Sequence, residues 1–407
     1  MKLGYKQIFT AGLIALLLPL QGAIAVGTTS GDIRISVRQS PQQVKENGQY
    51  HLVYEVHIEN KGSSPVIPVR VASYRRVLEK AMPVVSYTGD ELLSNTEFFD
   101  SNYRGAGREY LRDANDNPSS IGANMVGVVY LWLTFNNPLT LPSNFYHDVV
   151  LREVTTGGEI AITGAEFTAS QSEPLVIGPP VEGGPWWSLE TMDNNAVHRR
   201  AMVLSMPHIS QRYAVDLVKL GNSGTSFEGP DLTNQDKWYG YNAKVIAVAD
   251  GIVIDVADGV PENVPGSTER VVPMTADTIN GNFVVLDIGE GKFAHYGHLV
   301  PGSIGVTLGQ SVKRGDVLAG LGNSGNSDAP HLHFHINSEQ HLFDAEGFPY
   351  VYEAFEHHST ISVKEIQAGK KYRANTRKSE IRHFEIPSDN SVITFPEIRS
   401  KLGAALE

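Results

Sequence analysis

The chain has no cysteine. It therefore has no disulfides, and its domains rest on their cores alone. A metal site here would have to be built from His, Asp or Glu, a donor set that suits zinc with nitrogen and oxygen ligands. Lys/Arg-rich runs are also missing, and 45 acidic residues outweigh 33 basic ones for a formal charge of −12. Nothing in that pattern recommends nucleic acid as a partner. Past the first 25 residues no apolar run is long enough to cross a bilayer, which takes about 20 residues. Helical periodicity is scarce between about residues 188 and 345.

What is present is an ordinary globular balance, 41% hydrophobic and 19% charged over 407 residues. That length suits two or three domains, each able to bury a core. The opening "MKLGYKQIFTAGLIALLLPLQGAIA" has basic Lys2 and Lys6, a mostly apolar stretch over 8–20 and the small-x-small sequence Ala23-Ile24-Ala25. It reads as a cleaved signal peptide over 1–25, which implies an exported protein, periplasmic or extracellular.

Residues 26–178 read as a β domain. "YHLVYEVHIEN", "VIPVRVASYRRV", "VGVVYLWLTF", "HDVVLREVT" and "GEIAITGAEF" are short strand-like runs separated by Asn, Pro and Gly clusters. Such spacing predicts a sandwich of the immunoglobulin kind, structural or partner-binding. "IGPPVEGGPWW", ending in Trp186 and Trp187, marks a boundary. The two indoles suit interdomain packing better than a substrate platform, because they bury large apolar area. From 179 to 345 glycine becomes dense and β segments follow one another, predicting a compact antiparallel β domain with long loops such as 258–281. Residues 346–407 read as a C-terminal extension packed on that domain. The fold class expected is mainly β throughout.

The unusual polar residues gather in three places. "SDAPHLHFHI" sets His331, His333 and His335 at alternate positions, so that a strand would turn them to one side. "FAHYGHL" holds His295 and His298. "HRRAMVLSMPHISQRYAVDLV" holds His198, His208, Arg212 and Asp216, the last in an apolar run where a carboxylate is costly unless paired or metal-bound. Single histidines carry little information, but residues from separate strands converging on one point are what a catalytic zinc needs: three protein ligands and an open fourth position.

"GLGNSGNSDAPHLHFHI" resembles the signature of the lysostaphin-type (LytM-domain) zinc endopeptidases. "HYGHLV" resembles their Y-x-H-L segment, and "VIAVADGIV" and "GNFVVLDIGEGKFAHYGHL" resemble their other strands. The match spans about 198–338. The resemblance implies a zinc metalloendopeptidase that cuts peptide bonds in peptidoglycan stems or cross-bridges, through a zinc-bound water assisted by two histidines. It makes His333 and Asp216 zinc ligands, and His331 and His298 the catalytic pair. The upstream motif departs from the family: the position four residues before Asp216 holds Arg212, which has no lone pair for a metal. His198 and His208 are the local replacements. His198 is favoured, since "HRRA" before "QRYAVD" resembles a branch carrying this histidine upstream, and His208 follows Pro207 in an apparent turn. His295 reads as a surface or hydrogen-bonding residue, and His335 as either a partner of a site residue or a strand cap. The same departure motivates an alternative, a degenerate non-enzymatic domain that binds cell wall or regulates other wall hydrolases.

Overall fold

The computed structural model describes residues 27–77, 80–103, 119–139, 143–202, 207–367, 370–372 and 379–397. The expected signal peptide lies outside them. No helix among the described residues is long and apolar enough to cross a membrane.

The amino-terminal strands form two antiparallel sheets. One runs Thr28–Ser30, Ile33–Ser36, Gln49–Asn60, Met125–Phe135, Thr96–Asp100, with Val44–Glu46 also paired to Gln49–Asn60. The other runs Glu159–Thr168, Asn144–Glu153, Val66–Val77, Lys80–Thr88. Leu52, Tyr54, Val56 and Ile58 from the first share one core with Val71, Phe145, Val149 and Ile162 from the second, as alternation in a sandwich requires. Two strands escape a pattern-based reading. Lys80–Thr88 contains Pro83, which an edge strand tolerates because its outer N–H side needs no partner. Thr96–Asp100 is short and follows a one-turn helix, Gly89–Ser94.

The opposite face of strand Gln49–Asn60 is buried too: Val53, Glu55 and His57 are all 5% exposed or less. Beside it Phe99, Val126, Val128 and Tyr130 pack on Met202 and Ile209. A sandwich face that carries buried Glu and His is covered by another part of the chain, here the segment leading into the second domain.

That domain is built on an eleven-stranded sheet. Its order is Leu175–Ile177, Tyr350–Thr360, Ser391–Phe395, Gly183–Leu189, Val215–Lys219, Leu332–Asn337, Phe293–Leu299, Asn282–Asp287, Gly251–Ala257, Ser311–Val312, with Glu380–Glu385 paired on Tyr350–Thr360. The pairings are antiparallel apart from that of Leu175–Ile177 with Tyr350–Thr360. Strands from beyond residue 346 are thus continuous with this sheet. Trp186 joins its main core and Trp187 a smaller one with Leu220 and Ile361, so both indoles are packing residues. The mainly β, antiparallel character expected from the sequence holds throughout the described residues.

Candidate metal centre

The centre of the sheet places the site. In strand Val215–Lys219, Val215 and Leu217 point into the core while Asp216 points the other way. Asp216 lies directly across from His333 in the neighbouring strand Leu332–Asn337, and His333 lies across from Gly297 on its other side. Cross-strand partners on one face stand within side-chain reach, and His333 Nδ1 is 2.9 Å from Asp216 Oδ1. Its Nε2 is already engaged, 3.0 Å from Nδ1 of His335. Nδ1 is therefore the donor atom that His333 can turn to a metal.

His198 comes from elsewhere, the short helix Val197–Arg200. Its Nδ1 donates to the Glu190 carbonyl at 2.8 Å, which leaves Nε2 facing Asp216 Oδ2 at 3.6 Å. One donor atom from each of His198, Asp216 and His333 lies within 4.8 Å of the others. His208 is not among them: it is half-exposed and paired with Glu346 at 3.3 Å and Asp344 at 3.6 Å. Arg212, which stands at the position of the missing histidine, is buried and ion-paired with Glu55 at 2.8 Å and Glu346 at 2.6 Å.

Two more histidines border the cluster. His331 Nε2 is 3.5 Å from Asp216 Oδ2, and its Nδ1 donates to the Ala329 carbonyl at 2.8 Å. His298 Nδ1 donates to the Ser324 carbonyl at 2.8 Å. A carbonyl only accepts, so each ring carries its proton on Nδ1 and keeps a lone pair on Nε2. The His298 ring is 4.8 Å from that of His331 and 5.7 Å from that of His333. Strict alternation would have put His298 on the far side from His295. His298 instead has φ +61°, a left-handed conformation that costs a non-glycine residue about 1–2 kcal/mol and swings its ring toward the cluster. Of the two readings of His295, surface or hydrogen-bonding, the first is overturned: it is buried, with Nε2 3.5 Å from Asn337 Nδ2 and its ring stacked on His335, centres 4.7 Å apart.

Charge and burial work together here. Burial alone would push the Asp216 carboxyl up, but His198, His331 and His333 hold it well below the usual carboxylate range. Burial drives the His333 imidazole down to about 4, and the charge of His198 adds to that. Burial also depresses His298 and His335 well below an ordinary imidazole, while His295 falls to about 3. Burial thus favours a neutral His333 beside the ionised Asp216 carboxylate, the states in which those two residues can ligate a metal. Two imidazoles and a carboxylate without thiolate are donors that zinc accepts, so the residues fit that ion. They open on a cleft of about 320 Å³ bordered by Glu190, Arg270, Asn280, Asp328 and Phe343.

Loop geometry explains how His331 is held. Asn263 in the long 258–281 loop donates to the carbonyls of Asn323, Gly325 and Ser327. Ser327 Oγ in turn lies 3.2 Å from His331 Nδ1. Gly325, with φ +77°, passes so close to Gly281 that a Cβ there would sit 2.2 Å from the Gly281 nitrogen. Asn263 has no signal in the sequence beyond its place in an unusually long loop.

A β-sheet domain with a His/Asp/His cluster in an open cleft has the composition of a metallohydrolase site. Residues 236–345 match the model of peptidase family M23. His298, His331 and His333 lie inside the match, while His198 and Asp216 precede it. Similar solved structures include the catalytic domain of lysostaphin, an antimicrobial peptidase of Staphylococcus simulans, at 20% identity over 31% of this chain and 86% of that one, TM-score 0.20. Another is the catalytic domain of a prophage-encoded M23 protein, EnpA, of Enterococcus faecalis, at 18% identity over 31% and 85%, TM-score 0.20. A zinc-containing peptidase of Vibrio cholerae is similar at 13% identity over 76% and 83%, TM-score 0.21.

Proposed function

We propose that this protein is an exported zinc metalloendopeptidase that hydrolyses peptide bonds in peptidoglycan. The observation that carries the reading is the convergence of His198, Asp216 and His333 beside two further histidines whose Nδ1–H groups are held by backbone carbonyls. The match of residues 236–345 to a peptidase family model supports a peptidase. The basic-apolar start of the chain supports export to the periplasm or beyond, where peptidoglycan lies.

His198, Asp216 and His333 would hold the metal through Nε2, the carboxylate and Nδ1. Bound zinc would supply Lewis acidity, polarising a scissile carbonyl and acidifying water. The remaining chemistry belongs to the chain. His298, kept neutral by burial, and His331 both present Nε2 lone pairs to the cleft and can accept a proton there. Each ring is fixed by its Nδ1–H bond to a backbone carbonyl, so returning that proton to a leaving amine needs no rotation. A protonated ring would also steady negative charge on the attacked carbonyl oxygen.

The test is digestion of purified peptidoglycan with release of new amino groups, followed by mass spectrometry of the products. Release that disappears with chelation and returns with zinc supports the proposal. Binding to the wall without release would favour the degenerate, regulatory reading.

A further inference from the structure

The ligand set comes from two different layers of the molecule. Asp216 and His333 sit on adjacent strands of the large sheet, but the helix bearing His198 is anchored to the sandwich. Arg199, fully buried, pairs with Glu55 and donates to the Tyr54 carbonyl at 3.1 Å. Arg200 reaches the Ser94 carbonyl at 2.6 Å and lies 3.5 Å from Glu97. Both guanidinium groups lie over the ring of Tyr130, at 5.2 and 5.1 Å. Just upstream, Asn194 donates to the Tyr130 carbonyl at 3.0 Å. All these partners belong to the first sandwich sheet or to the helix and turn beside it.

Glu55 has a second task. One of its oxygens meets Arg199, next to His198, and the other meets Arg212, four residues before Asp216. A single buried carboxylate from the sandwich thus ties together the two segments that carry His198 and Asp216. A helix of four residues has little stability of its own, so tertiary anchors must fix where His198 points. Arg212 no longer resembles a lost ligand in this light; it is half of the clamp.

We infer that the amino-terminal β-sandwich is a working part of the metal centre, with Glu55, Arg199 and Arg212 as positioning residues that set His198 against Asp216. The inference rests on the zinc reading given above. Residues that orient a ligand without touching the metal alter affinity by about 10- to 100-fold when removed.

The experiment measures zinc affinity of the full chain by chelator competition, for wild type, Glu55→Gln and Val149→Ala. Val149 lies in the sandwich core on the far sheet, so its truncation loosens the sandwich without touching the clamp. Glu55→Gln is expected to weaken zinc binding by about 10- to 100-fold, and Val149→Ala to leave it within about twofold of wild type, since it contacts no site residue. Should Glu55→Gln not fold by circular dichroism, Glu97→Gln takes the partner from Arg200 on the same helix and carries the same expectation. Wild-type affinity in the clamp variant overturns the inference. So does equal weakening by Val149→Ala, which would reveal general loosening. A wild-type chain that takes up no zinc removes the metal reading itself, an outcome distinct from either.

Discussion

Both halves of the molecule bury histidines, and they do so differently. In the sandwich His147 is bonded to the Tyr54 hydroxyl at 2.9 Å and the Ala165 carbonyl at 3.0 Å. His57 bonds the Tyr103 hydroxyl at 3.0 Å, and His51 lies 3.1 Å from Thr134 Oγ1. These rings bond chiefly to hydroxyl and carbonyl groups within packed surroundings, with one carboxylate nearby, Glu46 at 3.9 Å from His51. At the metal centre His198, His331 and His333 all face one ionised carboxylate, and a cleft opens beside them. A buried histidine is therefore no sign of a site by itself. Convergence on a charge, with donor atoms left over and room for a substrate, is.

The largest expected effect breaks the cluster at its centre. Asp216→Ala should abolish zinc uptake and lower peptidoglycan hydrolysis on the order of 10³-fold, the scale of several kcal/mol of lost transition-state stabilisation. Metal analysis beside an amino-group release assay checks both. Next comes the division of labour among the histidines. His331→Ala should keep zinc and lose about 10²- to 10⁴-fold in rate, as loss of a general acid–base does, whereas His333→Ala should lose the zinc. Equal zinc loss in the two variants would merge roles that are separate here.

A smaller effect sharpens the other side of the comparison. Burial holds His147 down at about 4, so the folded state stays unprotonated where the unfolded chain, near 6.5, binds a proton. Its contribution to stability is full above about pH 6.5 and is lost as pH falls toward 4, by about 3 kcal/mol for this group. His147→Gln should flatten that acid-side loss in denaturant titrations at pH 7 and 4, and leave hydrolysis at pH 7 unchanged. The smallest effect concerns His208. His208→Ala should leave zinc binding intact and lower stability by at most about 1 kcal/mol, since its pairs with Glu346 and Asp344 are partly solvated. His198→Ala, by contrast, should weaken zinc strongly.

Much of this is legible in the sequence. Alternation in "YHLVYEVHIEN" and its neighbours marks the sandwich strands, and "HLHFHI" with Asp216 in an apolar strand marks the centre of the cluster. What sequence periodicity misses has physical causes. The turn of His298 into the cleft depends on one left-handed φ, which no period encodes. The clamp depends on residues 55, 199 and 212, brought together by domain docking rather than by local pattern. A trace of it was nonetheless present: glutamate and histidine alternate in the sandwich strand on what an isolated sandwich would expose to water, and their burial follows from the covering segment.

The central claim, that His198, Asp216 and His333 jointly hold a zinc ion needed for hydrolysis, is tested most directly by parallel measurement of zinc content and peptidoglycan cleavage. Wild type should carry about one zinc per chain, lose metal and cleavage together on dialysis against chelator, and regain both when zinc is restored. Cleavage that persists in the metal-free chain, or a wild-type chain that takes up no zinc, would contradict it.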